Sequence, residues 1–318
     1  MYIKELERYK YINLKHHNDY DRYMVIPTTL LPDIRWWINT IDNSIHRIRD
    51  DTYCREIYSD ASTTGWGAAC GAQSANGRWT EIEKQEHINY LELLAAYFSL
   101  KIFAKNCRSC QILLRVDNTT AISNINRMGG VQYPHLNKVT RDIWQWCEQR
   151  KIYITAAYIK SSDNTVADRE SRRSHPDTEW ELLSTGFQQI ISHFGLPEID
   201  LFADRLNKKC TLYASWQLDP DAVVIDSFTI SWSNYYFYAF PPVSCILKTL
   251  RKIINDRAKG IVIVPAWPTQ SWYPLFMSLL ESETVELNSS HFIIPYSSER
   301  NIQSTTILVA GILSGEQC

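Results

Sequence analysis

Between residues 54 and 172 the apolar residues change their spacing in an order that few folds accommodate. Residues 57–60 and 66–70 read as two strands joined by 61–65, and 78–82 as a third strand after an Asn76-Gly77 turn. The period then lengthens: Ile88, Leu91, Leu94, Ala95, Phe98 and Ile102 fall on one stripe of a helix over 87–104. A strand is expected over 112–117, helices over 119–127 and 135–150, a strand over 152–159 and a closing helix over 163–172. Three antiparallel strands followed by alternating helices and strands imply an α/β unit in which helices lie on a mixed sheet.

This unit does not fill the chain, since 318 residues leave room for two domains of about 100–200 residues each. Residues 1–50 precede it. They hold one helix expected over 32–48, whose apolar residues Ile34, Trp37, Ile38, Ile41, Ile45 and Ile48 form a sticky face. Residues 171–177 (SRRSHPD) read as a linker. Beyond it, helices over 180–194, 244–258 and 271–280 and strands over 199–202, 235–239, 260–265 and 304–310 suggest a second, Rossmann-like α/β domain. The expected division is therefore 1–50 as a connecting segment, 51–174 as the mixed-sheet domain and 178–318 as the second domain.

Composition narrows the function. Net charge is −2, but residues 1–175 carry 24 basic and 20 acidic side chains, whereas the remainder carries 9 and 15. A 45% apolar content argues against disorder. No apolar run approaches the ~20 residues of a membrane span, and the polar start MYIKELERYK resembles neither a signal nor a transit peptide. A globular, soluble, intracellular protein is expected, with cytoplasm and nucleus equally open and no membrane partner. Only 11 glycines are present, and neither GxGxxG nor GxxxxGK[ST] occurs. The phosphate-cradling loops of kinases, ATPases and dehydrogenases are thus missing. Eight cysteines are too few for a disulfide scaffold and are expected to be reduced. Cys107 and Cys110 have CxxC spacing, but no second pair accompanies them in the sequence, so they read as structural.

Four acids carry the chemistry. Asp60 ends the first strand (YSDAS), Glu92 lies inside the long helix (YLELLAA), Asp117 ends the fourth strand (RVDNTTA) and Asp168 lies in the closing helix (NTVADRESR). Singly, Asp60 and Asp117 also suit turns after strands, and Asp168 suits a solvated helix face. Glu92 is different, because its neighbours Leu91, Leu94 and Ala95 belong to the buried stripe. A lone buried glutamate is costly unless it is paired or metal-bound. Carboxylates at adjacent strand ends, faced by one from a helix, repel unless cations intervene, and hard oxygen donors suit Mg2+ or Mn2+. Two such ions can activate a water and stabilise a phosphodiester's leaving oxygen. Asn118 follows Asp117 and is placed to meet a ribose 2′-hydroxyl. Lys160, Arg169, Arg172 and Arg173 group near Asp168, either to meet phosphates or as a solvated helix end.

The set YSDAS, YLELLAA, RVDNTTA and NxxAD resembles the ribonuclease H domain of retroelement polyproteins, over residues 50–173. HINYLELLAA, the preceding GRW and ADRESR (with Asp168, Ser171 and Arg172) are similar to the DIRS-type lineage. The resemblance implies a ribonuclease H-like fold and two-metal hydrolysis of the RNA strand of an RNA–DNA hybrid. Asp60, Glu92, Asp117 and Asp168 would be the ligands of two Mg2+ or Mn2+ ions. Residues 1–50, with IRWWI, resemble the segment that joins a reverse transcriptase to its ribonuclease H, which implies that polymerase as a partner. Two departures stand out: the loop 160–164 (KSSDN) lacks the histidine that many of these nucleases carry there, and no YxDD polymerase motif occurs. A fragment or remnant of a larger polyprotein is the expectation. The second half, IDLFADRLNKKC…YAFPPVS…GIVIVPAWPTQSWYP, is similar to the methyltransferase-like domain of DIRS-type elements, which is related to N6-adenine methyltransferases. Phe240 stands before Pro241-Pro242, where active members of that family place a hydrogen-bonding side chain; a phenyl ring offers no acceptor. The alternatives to a nuclease are a catalytically silent nucleic-acid-binding or scaffold module, or an active N6-adenine DNA methyltransferase. Asp200 reads as a ligand contact or, more blandly, as a turn or cap residue.

Overall fold

A computed structural model describes residues 1–17, 19–43, 50, 52–173, 180–293 and 306–316. The chain separates into two compact units, Met1–Arg173 and Ser174–Cys318. The expected linker lies, apart from residues 171–173, outside the described residues. Among those residues no helix is long and apolar enough to cross a membrane.

The first unit opens with α1 (Lys4–His17) and α2 (Leu31–Thr40). It continues through β1 (Arg55–Ala61), β2 (Gly65–Cys70), β3 (Gln73–Arg78), α3 (Ile88–Phe103), β4 (Gln111–Val116), α4 (Thr119–Asn126), α5 (Pro134–Gln149), β5 (Tyr153–Tyr158) and α6 (Thr165–Ser171). The strands form one sheet in the order β3-β2-β1-β4-β5. β1, β2 and β3 pair antiparallel, while β1, β4 and β5 pair parallel. The expected mixed sheet is present. The third strand is shifted: Asn76 and Gly77 lie within β3, opposite Gly67 and Trp66. The chain instead reverses just before, at Gly71, whose φ of +59° suits a residue without a side chain.

Alternation along β2 assigns its two faces. Trp66 meets Phe98 of α3, their rings 5.4 Å apart and edge-on. Gly67, on the opposite face, lies under α6, where an added Cβ would come within 2.1 Å of the Ala167 carbonyl oxygen. The helix α3 is buried on nearly every side, which explains why its interior is apolar almost all round. The amphipathic α5 buries Leu136, Val139, Ile143 and Trp144.

The N-terminal helices belong to this unit and attach to α5 by polar groups. Asp33, 4% exposed, takes both arms of the Arg141 guanidinium. Asn137 donates to Glu5 Oε1 at 2.6 Å, and Tyr2 donates to Glu148 Oε2 at 2.6 Å. The expected sticky stripe is not buried. Trp37, Ile38 and Ile41 are exposed, and the α-helix gives way at Ile41 to one 3-10 turn (Ile41–Asn43). Ile45 and Ile48 lie outside the described residues.

The second unit consists of β6 (Glu181–Leu182), α7 (Ser184–Phe194), β7 (Ile199–Asp200), β8 (Leu212–Ser215), β9 (Val224–Ile225), β10 (Phe237–Ala239), α8 (Ile246–Asp256), β11 (Lys259–Pro265), α9 (Tyr273–Ser278), β12 (Val285–Leu287), β13 (Phe292–Ile293) and β14 (Leu308–Ser314). Seven strands form a sheet in the order β12-β14-β11-β10-β7-β8-β9, and β13 pairs with β6 apart from it. The run from β11 to β9 is parallel; β14 lies antiparallel between β11 and β12. Val262 and Val264 face the core that holds Ile246, Leu250 and Ile253 of α8. Ile261 and Ile263 face the core that holds Phe187 and Ile190 of α7. Burial on both faces is why 260–265 reads as an unbroken apolar run. The helix expected from residue 180 starts only at Ser184, because Glu181 and Leu182 pair with β13. The short strands β8, β9 and β12 have no counterpart in the expected pattern, since two to four residues carry no readable period.

Candidate active site

Asp60 is the penultimate residue of β1, and Asp117 directly follows β4. Because these strands are parallel neighbours, both carboxylates emerge at the same end of the sheet. Glu92 enters from the first turns of α3, which packs on β1 and β2. Carboxylate oxygens of Asp60, Glu92 and Asp117 lie within 4.8 Å of one another. Asp60 and Glu92 are each 4% exposed, and Asp117 is half-buried.

Burial and the nearby charges favour the protonated forms of Glu92 and Asp60. Burial, with the charges of Asp60 and Asp117 added, pushes Glu92 up to about 9, against one relieving hydrogen bond from the backbone of Ala61. Its Oε2 is buried and accepts no hydrogen bond. Asp60 is pushed up to about 6, first by burial and then by Asp117 and Asp168, although Ser171 donates to its Oδ2 at 2.6 Å. An orphaned buried oxygen among mutually repelling carboxylates suits a hard divalent cation, which would replace the protons and satisfy Oε2. The donor set therefore fits Mg2+ or Mn2+, with Asp60, Glu92 and Asp117 as the residues to hold it.

Asp168 stands apart from these three. Its Oδ1 accepts from Arg172 Nε and a terminal nitrogen at 2.9 and 2.7 Å, and its side chain is about one-third exposed. Its charge nonetheless reaches Asp60. The helix α6 that carries Asp168 is bound tightly to the sheet. Ser62 donates to the Ser171 carbonyl at 2.6 Å, Asn164 donates to the Ser59 carbonyl at 3.0 Å, and Ser171 bridges Asp60 to the Asp168 carbonyl. Glu170, also 4% exposed, is held below its ordinary range despite burial by hydrogen bonds from Asn76, Arg173 and Arg169. The supporting roles of Ser62, Asn76, Ser161, Asn164 and Glu170 were invisible in sequence, because each meets a partner far away along the chain.

Asn118 caps α4: its Oδ1 accepts from the Ala121 N–H at 2.9 Å, and its amide donates to Asn89 at the same distance. Lys160 is exposed in the turn after β5, where neighbouring Ser161 donates to Asp117 Oδ2 at 2.7 Å. Arg169 and Arg172 are exposed on α6 and its C-terminal turn, paired with Glu170 and Asp168 respectively.

The second unit holds a cavity of about 750 Å3 beyond the carboxyl ends of β7, β10 and β11, lined by Asp200, Phe202, Tyr238, Phe240 and Lys248 among others. It sits where the strand order reverses between β7 and β10, the usual place for ligands in open parallel sheets. Asp200 is buried and accepts from the N–H groups of Phe202 and Lys209, a capping role, with burial pushing it up to about 6.

No protein-family description and no curated protein matches the chain. Among solved structures it is similar to ribonuclease H1 of the archaeon Halobacterium salinarum, at 16% identity over 36% of this chain and 92% of that one, with a TM-score of 0.31. LC11-RNase H1 in complex with an RNA/DNA hybrid gives 18%, 36%, 92% and 0.32 in the same terms. The prototype foamy virus protease-reverse transcriptase gives 13% identity over 55% of this chain and 25% of its own, with a TM-score of 0.25. Likenesses this weak carry no conclusion about activity.

Proposed function

We propose that the first unit is a retroelement-type ribonuclease H that hydrolyses the RNA strand of an RNA–DNA hybrid with two bound Mg2+ or Mn2+ ions. The observation that carries this reading is the convergence of Asp60, Glu92 and Asp117 within 4.8 Å around the unsatisfied Glu92 oxygen. Bound ions would activate a water for attack on phosphorus and neutralise the leaving oxygen. Asp60 is aimed by Ser171 and Asp117 by Ser161, so neither carboxylate needs to reorganise. Asp168 completes the ligand set by exchanging its Arg172 pair for an ion, which frees the exposed guanidinium to meet a phosphate. Lys160 and Arg169 offer further phosphate contacts, and the Asn118 and Asn89 amide pair sits beside Asp117 to meet a 2′-hydroxyl. A reverse transcriptase domain of the parent element would supply the remaining grip on the hybrid.

A silent nucleic-acid-binding module is the second reading, favoured by a loop 160–164 that has no histidine and is closed on Asp117 by Ser161. Cleavage of an end-labelled hybrid, first in Mg2+ and then in Mn2+, separates the two. The nuclease reading expects RNA-strand cleavage that drops at least about a hundredfold in Asp117→Asn, the equivalent of about 2.7 kcal/mol of barrier. Hybrid binding without cleavage in either metal would establish the silent module instead.

For the second unit we propose a Rossmann-like, methyltransferase-like platform that no longer transfers methyl groups. Phe240 lines the cavity beside Pro241 and Pro242 and presents no acceptor to a target amine. Methylation of adenine-containing DNA by the intact chain would overturn that reading; calorimetry with S-adenosylmethionine separately reports whether the platform still binds the cofactor.

A further inference from the structure

At the far end of the same parallel strand pair, thiols gather where the acids do not. Cys54 immediately precedes β1, and Cys110 immediately precedes β4. The parallel register, with the Cys54 N–H donating to the Gln111 carbonyl, brings them together across 56 positions of sequence, their sulfurs 2.8 Å apart. Cys107 joins them from the loop after α3, and the three sulfurs lie within 4.8 Å of one another. Arg55 Nε donates to Cys107 Sγ at 3.3 Å, and the same guanidinium approaches Cys70 Sγ at 3.9 Å. None of these cysteines has any part in the proposed nuclease chemistry.

We propose that Cys54, Cys107 and Cys110 bind one Zn2+ ion, with solvent in the fourth position. Three converging sulfurs select a thiophilic cation over the hard ions suited to the acids. A disulfide would use two of the thiols and leave Cys107 and its arginine unexplained. Binding releases three thiol protons to solvent and leaves a zinc–trithiolate of charge −1, which the Arg55 guanidinium neutralises while its N–H group orients Cys107. Sulfurs on a tetrahedral zinc sit about 3.8 Å apart at the usual bond length, so the ion spreads the Cys54–Cys110 pair by about 1 Å. Cys54, Arg55 and Cys70 also wall a cavity of about 650 Å3, which gives the ion a route in and the fourth ligand its space. The ion would clamp the start of β1 to the start of β4 and so hold the register that aligns Asp60 with Asp117 at the other end.

The test is metal analysis of the intact chain purified in reducing buffer with Zn2+, followed by Co2+ substitution. One zinc per chain is expected, with intense visible bands and thiolate-to-cobalt charge transfer from the Co2+ form. Cys54→Ser and Cys107→Ser should lose the metal, whereas Cys245→Ser, in the second unit, should keep it. Should the serine variants fail to fold, zinc must still protect Cys54, Cys107 and Cys110 of the unaltered chain from alkylation, and a chelator must lower its Tm by several degrees. No bound metal with a solvent-like Co2+ spectrum overturns the proposal. So does a Cys54–Cys110 disulfide in the zinc-treated chain, or retention of the metal by Cys54→Ser. Each readout is independent of nuclease activity.

Discussion

Glu92 sits among Leu91, Leu93 and Leu94 on a helix buried on nearly every side, and at neutral pH the fold keeps its proton on. A carboxyl raised from about 4.5 to about 9 binds a proton in the folded chain that the unfolded chain has already lost. Stability of the metal-free protein must therefore fall as pH rises from about 5 to about 9. Asp60 adds to the fall at the lower end of that window. Thermal unfolding in chelator across this range is expected to show the decline, and millimolar Mg2+ or Mn2+ to flatten it. Glu92→Gln removes the charge without changing shape. It should raise metal-free stability at pH 8 by at least about 1.4 kcal/mol, one pKa unit's worth, while weakening Mn2+ binding. A variant with wild-type stability and wild-type Mn2+ affinity would mean that Glu92 is not a ligand. The cost of burying Glu92 was legible from its apolar neighbours in sequence. That its Oε2 goes unsatisfied was not, because its surroundings come from β1 and β4, far away along the chain.

At the scale of elements, the placement of α6 depends on what β2 omits. Gly67 has α6 backbone where a side chain would stand, with the Ser171 nitrogen 2.4 Å from an added Cβ. Gly67→Ala is expected to push α6 outward, cost about 1–3 kcal/mol of stability and weaken Mn2+ binding by displacing Ser171 from Asp60. Denaturant unfolding and Mn2+ titration check both. Among the polar attachments of the N-terminal helices to α5, the Asp33–Arg141 pair puts a carboxylate in the interior. Arg141→Met leaves Asp33 buried without its partner and should cost about 3 kcal/mol, read from the same unfolding curves; a loss below about 1 kcal/mol would show that this attachment adds little to stability. The strongly periodic α3 and α5 were readable in sequence to within a residue or two. The α2 stripe misled, because periodicity records which side is apolar and not whether another element covers it.

For the whole molecule, the division at Arg173 and Ser174 separates a unit with the acids and thiols from one with the aromatic cavity. Each unit has its own sheet and buries its own apolar residues. Residues 1–173 expressed alone should unfold cooperatively and retain Mn2+ binding, as followed by circular dichroism and titration. Loss of folding on separation would show that the second unit completes the first unit's core. The charge asymmetry read from the sequence belongs to these same units, so hybrid binding should weaken with salt through the first unit.

Local order and chemistry were determined by the sequence alone: which segments alternate, which helix is buried, and that Asp60 and Asp117 stand at strand ends, Glu92 on a buried stripe and Asp168 in the closing helix. Those properties depend on near neighbours, which the chain states directly. Tertiary structure decided which of the four acids meet and that Cys54 comes to the CxxC pair. Each outcome turns on parallel pairing of β1 with β4 or on α6 lying against Gly67, contacts between residues roughly fifty to a hundred positions apart. No local periodicity encodes such contacts, because they follow from how the sheet closes around its core.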